Sequence, residues 1–149
     1  MTSTEPALDH TLDAWLSRYL ADAGGVAGTV HLHENGGLRL AAGVNIPPPL
    51  REAVAWVPSG KGMAGLALER GEVVQTCNLK DDTSGSVRPG AAAVNARAAF
   101  AMPVRDPNGA IFAVVGVAFM HDREIGADEL KRLALEAESL SAFAVARPG

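Results

Sequence analysis

Cys77 is the only cysteine of the 149-residue chain, and its thiol is the one candidate for a nucleophile or a thioether anchor. A lone cysteine at the end of a strand is usually a small buried hydrophobic residue. A single cysteine also excludes an internal disulfide bond and a cysteine zinc site, and it suits a reducing cytoplasm. We therefore expect no catalytic residue, with redox chemistry at Cys77 kept as an alternative.

Histidines and paired aspartates are the candidates for metal or acid–base chemistry. His31 and His33 alternate along a predicted strand and therefore share one face, and His121 follows a neighbouring strand. Two histidines without a carboxylate in register make a poor ligand set, so we expect solvent-facing side chains and no metal site. Asp81 and Asp82 are adjacent in a polar loop, where aspartates usually cap turns.

The glycine-rich segment at residues 58–65 is a candidate phosphate loop, since such loops can cradle phosphates with their backbone amides. Gly62, not serine or threonine, follows the Gly60-Lys61 pair, and Ala55 stands where the phosphate-binding motif needs glycine. The segment therefore does not match that motif. It predicts a tight turn into a short helix that ends at Gly71.

Composition and charge limit the class of protein. Hydrophobic residues make up 48% and charged residues 20% of a length that fits one domain. Seventeen acidic and thirteen basic residues give a net charge of −4 without a basic run, which argues against a nucleic-acid partner. The start of the chain resembles no secretory signal, and the longest apolar run, at 110–120, is shorter than the ~20 residues of a spanning helix. We expect a cytoplasmic protein with no membrane partner.

Hydrophobic periodicity predicts the elements that position these residues. Apolar residues recur at three- and four-residue steps in two helices, at 6–23 and 128–145. Four strands form two hairpins, which turn at residues 35–37 and 106–109. The strands are predicted at 26–33, 38–44, 99–105 and 110–120. Between the hairpins we expect a helical turn at 50–55, the glycine-initiated helix, a short strand at 72–77, a polar loop at 78–90 and a helical segment at 91–98. This order predicts an α+β protein with an antiparallel sheet.

The order of these motifs resembles the GAF domain family over residues 8–145. The matching features are the Gly60-x-Gly62-x-x-Gly65 helix entry, the Gly71-Glu72-Val73-Val74 strand entry, the Asp81-Asp82 pair, the strand at 97–104, the hairpin at 106–117 and the helix at 125–140. The resemblance implies a profilin- or PAS-like sheet of five or six antiparallel strands. The N- and C-terminal helices would pack on one face, and a ligand pocket could form on the other. Residues 1–149 would be a single GAF-like domain with loose termini at 1–5 and 147–149.

GAF domains usually sense small molecules or mediate dimers in signalling proteins. The resemblance therefore implies a bacterial-type signal-transduction domain that binds an unknown small molecule and is not an enzyme. Bilin-binding members attach their pigment in a different segment, and cyclic-nucleotide members carry a pattern that residues 78–82 match poorly, so we expect no cofactor. The family also includes a reductase of free methionine sulfoxide. That chemistry needs a second thiol to resolve the sulfenic acid, which this chain lacks.

The predicted ligand site is a cleft beneath the loop at 78–97. Arg88 and Arg97 could pair with an anionic group of the ligand. Apolar walls would come from Trp56, Met63, Cys77, Phe100 and Met102, the mixture typical of ligand clefts. The alternative is that Trp56 and Phe100 belong to the core and that both arginines are solvated.

The terminal helices predict a homodimer. If the sheet of the same chain does not bury them, apolar side chains of the first helix could meet those of the last helix in a second copy. The predicted interface residues are Leu12, Trp15, Tyr19, Leu133, Leu140 and Phe143. The sequence thus leaves three hypotheses: a dimeric ligand sensor, a ligand-free adaptor that docks a signalling protein, and a small redox enzyme that uses Cys77.

Overall fold

The structure, a computed structural model, describes residues 5–76, 98–121 and 125–141. Its elements are α1 (Glu5–Ala23), β1 (Ala27–Glu34), β2 (Gly37–Val44), α2 (Pro48–Ala53), β3 (Trp56–Pro58), α3 (Gly62–Arg70), β4 (Val74–Thr76), β5 (Ala98–Arg105), β6 (Ile111–Phe119) and α4 (Ala127–Ala137), followed by a 3₁₀ turn (Glu138–Leu140). The strands form one sheet in the order β3-β2-β1-β6-β5-β4, with antiparallel neighbours throughout. The predicted α+β fold is confirmed. The expected loop at 78–90 and most of the helical segment at 91–98 lie outside the described residues.

Both predicted hairpins are present, and their turns have the chemistry that their sequences predict. Asn35 and Gly36 join β1 to β2 with φ angles of 48° and 81°, the left-handed conformation that a two-residue hairpin turn requires. In the turn between β5 and β6, the Asp106 carboxylate accepts hydrogen bonds from the backbone N–H groups of Asn108 and Ala110, at 2.9 and 3.1 Å. These local contacts fix the register of the four long strands.

The central strands present large side chains to one face of the sheet. Alternate positions of β5 and β6 carry the large residues Phe100, Met102, Val115, Val117 and Phe119, which pack in one buried cluster with side chains of α1 and α4. Because side chains alternate across a strand, the residues between them belong to the other face. A second, smaller cluster lies there beneath α3, around Leu38, Ala67 and Val114.

The terminal helices pack together over the large-residue face, as the resemblance predicted. The Tyr19 hydroxyl donates a hydrogen bond to the Leu133 carbonyl at 3.0 Å and lies 3.5 Å from the Met102 sulfur. The Trp15 ring stacks on Tyr19 with centroids 4.8 Å apart, and its indole N–H donates to the Ser139 hydroxyl at 2.7 Å. Burial raises the pKa of Tyr19, which stays protonated as a donor. α1 and α4 are therefore joined within one chain.

This packing uses the side chains that were expected at a dimer interface. Their exposed fractions are Leu12 2%, Trp15 9%, Tyr19 1%, Leu133 0% and Leu140 2%. The dimer interface was expected only if the sheet of the same chain did not bury these side chains. The same chain does bury these five. A dimer through α1 and α4 would need other side chains of these helices. Phe143 lies outside the described residues, and the homodimer itself stays a prediction.

Two elements differ from the sequence predictions. β3 was not predicted, because three residues are too few for a periodic signal, yet it pairs with β2 through Trp56 and Arg39 and forms one edge of the sheet. α4 ends at Ala137 and tightens into the 3₁₀ turn, whereas a continuous helix at 128–145 was expected. The apolar stripe continues through Leu140, so periodicity alone does not mark where the helix tightens.

An acidic pair lies where α1 meets α4. The Glu136 carboxyl shares a hydrogen bond with Asp22 of α1. Burial, this hydrogen bond and the charge of Asp22 raise the pKa of Glu136 from 4.5 to about 7, against the opposing charge of Arg132. The Arg132 guanidinium is 3.8 Å from the Glu136 carboxylate. Near neutral pH, the two helices therefore share a proton that is lost as the pH rises.

We expect Asp22→Asn to reduce the pH dependence of stability. The unfolded chain loses the Glu136 proton near pH 4.5 and the folded chain only near pH 7, so the free energy of unfolding falls as the pH rises between these values. Without the Asp22 charge, Tm should rise by roughly 2–4 °C at pH 7.5 and by less at pH 5. Thermal melts across this pH range test the difference. Asp13→Asn, on the same helix, is the control, and an equal effect of both substitutions would contradict the assignment.

Candidate functional site

A cavity of about 430 Å³ lies on the face of the sheet opposite α1 and α4. Its floor comes from the central strands β1, β5 and β6, which contribute His31 and six small residues: Ala27, Thr29, Ala99, Ala101, Gly116 and Ala118. A Cβ atom at Gly116 would already lie 3.0 Å from the Thr29 hydroxyl. The cavity therefore exists because the β1–β6 and β5–β6 pairings place their smallest residues side by side.

The walls of the cavity come from α2, β3 and the first turn of α3. α2 begins with prolines at its first positions, where their fixed φ and missing N–H suit a helix start. The Arg51 guanidinium donates a hydrogen bond to the Gly43 carbonyl at 2.8 Å, which holds α2 against β2. On β3, the Trp56 ring packs on Gly37 so closely that a Cβ there would lie 2.4 Å from it. Trp56 remains 45% exposed at the rim.

The glycine-rich turn positions α3 against the end of β3. Gly60 and Gly62 have φ angles of 86° and 64°, so they supply the left-handed conformations of a tight turn. Gly65 lies where its backbone nearly touches Pro58: a Cβ on Gly65 would be 2.5 Å from the Pro58 carbonyl oxygen. The structural interpretation of this segment is confirmed, and the first turn of α3 borders the cavity.

His31 is the buried polar side chain of the cavity. It follows a bulge in the pairing of β1 with β2, and its ring borders the cavity with 3% of its surface exposed. Nε2 lies 2.9 Å from the Val54 carbonyl, which can only accept, so Nε2 carries the proton and donates. Nδ1 is buried, and no group of the described residues forms a hydrogen bond with it. Burial lowers the pKa of His31, although the Val54 carbonyl opposes the shift, so the ring is neutral at pH 7.

The position of His31 corrects the expectation that both strand histidines face solvent. His33 does so, and its Nδ1 donates to the Ile111 carbonyl at 3.1 Å at the surface. His31 lies two residues earlier on the same face, but the C-terminal end of α2 covers it. Sequence spacing placed the two histidines on one face and could not show that another element covers only one of them.

The first turn of α3 brings positive electrostatic potential to the cavity. α3 is nine residues long and begins at Gly62 with no side-chain cap from Lys61. The first N–H groups of a helix have no acceptor within the helix, and they carry the positive end of its dipole. Gly62, Met63 and Ala64 border the cavity together with Lys61, whose side chain is exposed. Among the described lining residues, Lys61 is the only one with an ionised side chain.

The predicted site residues fall into three groups. Trp56 and Met63 border the cavity, and their role in binding stays a prediction. Phe100 borders it from its strand, but its side chain packs against Phe119 in the core, as the alternative interpretation held. Met102 is 1% exposed in the same core, beside Tyr19, because its position on β5 points to the large-residue face. Cys77, Arg88 and Arg97 lie outside the described residues.

Sequence reasoning missed His31, Thr29, Lys61 and the small floor residues. One signal could have revealed the floor: Ala99, Ala101, Gly116 and Ala118 alternate with large apolar residues along two paired strands. Small residues at every second position predict space on one face, if the pairing register is known. The described residues include no group of three His, Cys, Asp or Glu side chains placed to hold a metal ion. No helix within them is long and apolar enough to cross a membrane.

The sheet, the terminal helices on one face and the cavity on the other define an α+β domain with an open space between the sheet and the short helices. A family model described as GAF domain matches residues 3–143 of the 149. The chain therefore belongs to the GAF domain family, as the resemblance predicted. No curated protein sequence matches the chain.

Solved structures agree with this fold. The type II free methionine-R-sulfoxide reductase of Thermoplasma acidophilum superposes with a TM-score of 0.74 at 14% identity, covering 95% of this chain and 94% of that one. The GAF domain region of a Geobacter sulfurreducens protein superposes with a TM-score of 0.76 at 15% identity, with 93% of each chain covered. The GAF domain of an Acinetobacter phosphoenolpyruvate-protein phosphotransferase superposes with a TM-score of 0.71 at 18% identity, covering 95% of this chain and 86% of that one. At such identities the likeness shows the fold alone.

Proposed function

We propose that this GAF domain binds a small molecule in the cavity between the central strands and the first turn of α3, and that it acts as a sensor without catalysing a reaction. The observation that carries the proposal is His31 Nδ1, a buried acceptor that has no partner among the described residues, in a side chain that borders the cavity. An unsatisfied buried polar atom costs about 1–3 kcal/mol. A ligand that donates to it recovers that free energy on binding.

The shape and chemistry of the cavity support the same proposal. Its volume of about 430 Å³ falls within the range of small-molecule sites, and apolar surface with a few polar groups is their usual lining. The floor is also tight where Thr29 meets Gly116, since a Cβ on Gly116 would lie 3.0 Å from the Thr29 hydroxyl. The adaptor hypothesis expected a cavity filled by the chain's own side chains, and within the described residues this cavity is open.

A route for the response runs through the sheet. His31 holds the end of α2 through the Val54 carbonyl, so a ligand that meets this ring also acts on the wall formed by α2. The strands of the floor carry, on their other face, the large residues that pack against α1 and α4. A ligand that binds one arrangement of the floor better than another would shift the packing of the terminal helices. A homodimer through other side chains of these helices remains part of the proposal.

We expect Ala118→Leu to abolish binding of small apolar probes without unfolding the protein. The added side chain enters the cavity from the floor, where Ala118 borders it. Titration of indole into the ¹⁵N-labelled protein should shift the amide signals of lining residues in the unchanged protein and leave those of the variant in place. Ala21→Leu, on the exposed side of α1, is the matched control and should bind like the unchanged protein. Absence of shifts at millimolar indole, or equal shifts in Ala118→Leu, would contradict the proposed site.

A further inference from the structure

We infer that the ligand is a small organic anion that also carries an N–H or O–H donor, with the donor directed to His31 Nδ1 and the anionic group to the start of α3. This inference rests on the proposed function, because it names the chemistry of a ligand in the same cavity. Two independent features carry it: an orphaned acceptor in a buried ring, and an uncapped helix N-terminus beside a lysine.

The histidine requires a donor because its tautomer is fixed. The Val54 carbonyl accepts a hydrogen bond from the Nε2–H group, so the neutral ring carries its proton on Nε2 and offers a lone pair at Nδ1. The ring borders the cavity, but Nδ1 itself is shielded from solvent. A donor therefore reaches Nδ1 only if the ring turns, and turning the ring disturbs the hydrogen bond of Nε2 to the Val54 carbonyl, which offsets part of the gain at Nδ1. An amide, indole or hydroxyl group satisfies this nitrogen, whereas an ether or carbonyl oxygen adds a second acceptor.

The start of α3 requires an acceptor, and its surroundings favour a negative charge. Free backbone N–H groups and the helix dipole together make an anion site at a helix N-terminus. Lys61 precedes this turn and borders the same cavity with an exposed side chain, so it adds a full positive charge at the rim. The described lining residues include no aspartate or glutamate, but the Glu69 carboxylate lies beside Gly60 in the turn that precedes α3, where it offsets part of the positive potential. A carboxylate or phosphate fits this end equally well.

The floor defines the body that joins the two polar ends. Apart from His31, its residues are alanine, glycine and threonine on three adjacent strands, so the surface is flat and almost wholly apolar. Moving a compact apolar body from water onto this surface is favourable, and the body needs no further polar contact. The three parts together describe a molecule such as a heteroaromatic or short aliphatic carboxylate with an N–H group.

Four related probes separate these contributions in the unchanged protein. Indole-2-carboxylate has both the N–H donor and the anionic group, and 1-methylindole-2-carboxylate lacks the donor. 3-Methylindole-2-carboxylate adds the same volume and keeps the donor, so it controls for the size of the methyl group. Indole keeps the donor and lacks the charge. Dissociation constants come from amide shifts of the lining residues during titration.

We expect the four probes to differ in affinity in a defined order. Blocking the donor should weaken binding by about tenfold, because the buried nitrogen stays unsatisfied, while 3-methylation should have a small effect. Indole should bind about threefold to tenfold more weakly than indole-2-carboxylate. Lys61→Gln should reduce the difference in affinity between indole-2-carboxylate and indole. It should leave the difference between the 1-methyl and 3-methyl probes unchanged. Lys131→Gln, which replaces an exposed lysine on α4, is the control and should change neither.

The outcomes distinguish this inference from the proposed function. Equal binding of the 1-methyl and 3-methyl probes would overturn the role of His31, and equal binding of indole and indole-2-carboxylate would overturn the role of α3 and Lys61. In both cases the cavity would still bind small molecules. If no probe shifts the lining residues, or if Ala118→Leu binds them all unchanged, the proposed function fails together with the inference.

Discussion

Replacing Gly65 by alanine is expected to lower the free energy of unfolding by about 2–3 kcal/mol, although alanine is intrinsically the better helix former by about 1 kcal/mol. The new Cβ would lie 2.5 Å from the Pro58 carbonyl oxygen and 3.1 Å from the Gly60 nitrogen. Both are backbone atoms, and the Gly60 N–H already donates to the Gly65 carbonyl at 2.8 Å. No side chain can move aside, so the turn and the start of α3 must separate.

Chemical denaturation measures this effect, and Gly126→Ala provides the comparison. Gly126 precedes α4 with φ −70°, and a Cβ there meets nothing within 4 Å. The control should therefore stay within about 0.5 kcal/mol of the unchanged protein. Gly65→Ala should also weaken binding of indole, because the first turn of α3 borders the cavity. A stability equal to that of Gly126→Ala would show that the close approach of Gly65 to Pro58 is not part of the fold.

The sequence predicted the architecture because its determinants are local. Asn35 and Gly36 adopt the positive φ angles that their hairpin needs, Gly71 ends α3 in a left-handed conformation with φ 70°, and the long apolar strands pair as expected. Each of these follows from a residue's own conformational preferences or from hydrophobic periodicity. β3 was missed because its three residues become a strand only by pairing with β2.

The site was less predictable because it depends on which elements cover which residues. Met102 and Phe100 have apolar side chains of the right kind for a ligand cleft, yet their places on β5 direct both into the core beneath α1. His31 looked like an exposed strand residue until α2 supplied the Val54 carbonyl as its partner. Whether a polar residue is buried depends on tertiary packing. It cannot be read from a single sequence when the pairing register of the strands is unknown.

The two faces of the sheet differ in how completely they are packed. On one face, large residues fill the space beneath α1 and α4, and Tyr19 and Trp15 satisfy their polar atoms within the same chain. On the other, small residues leave space, and a histidine nitrogen is left without a partner among the described residues. Unpaired buried atoms persist where a functional need offsets their cost. The same strands carry both faces, so under the proposed function a ligand in the cavity acts on strands that also pack against the terminal helices.

Leu133→Ala is expected to lower the free energy of unfolding by about 3 kcal/mol, whereas Leu135→Ala should change it by less than about 0.5 kcal/mol. The two leucines lie two residues apart on α4, and their exposed fractions are 0% and 63%. Truncating Leu133 leaves a void in the cluster between α4 and the sheet, next to the carbonyl that accepts the Tyr19 hydrogen bond. The Leu135 side chain mainly contacts solvent, so its truncation removes little packing. Because the chemical change is the same, the difference between the two variants reports the effect of burial.

This pair of variants also tests how the terminal helices are used. If Leu133 is buried by its own chain, the loss of stability will be the same at every protein concentration. If it is instead buried by a second copy, the loss will grow on dilution, because dissociation then accompanies unfolding. Leu135 gives the complementary result: a dimer formed through the exposed side of α4 would be weakened by Leu135→Ala in analytical ultracentrifugation, with the stability of the subunit unchanged. Denaturation at two protein concentrations together with sedimentation of both variants therefore separates core packing from association.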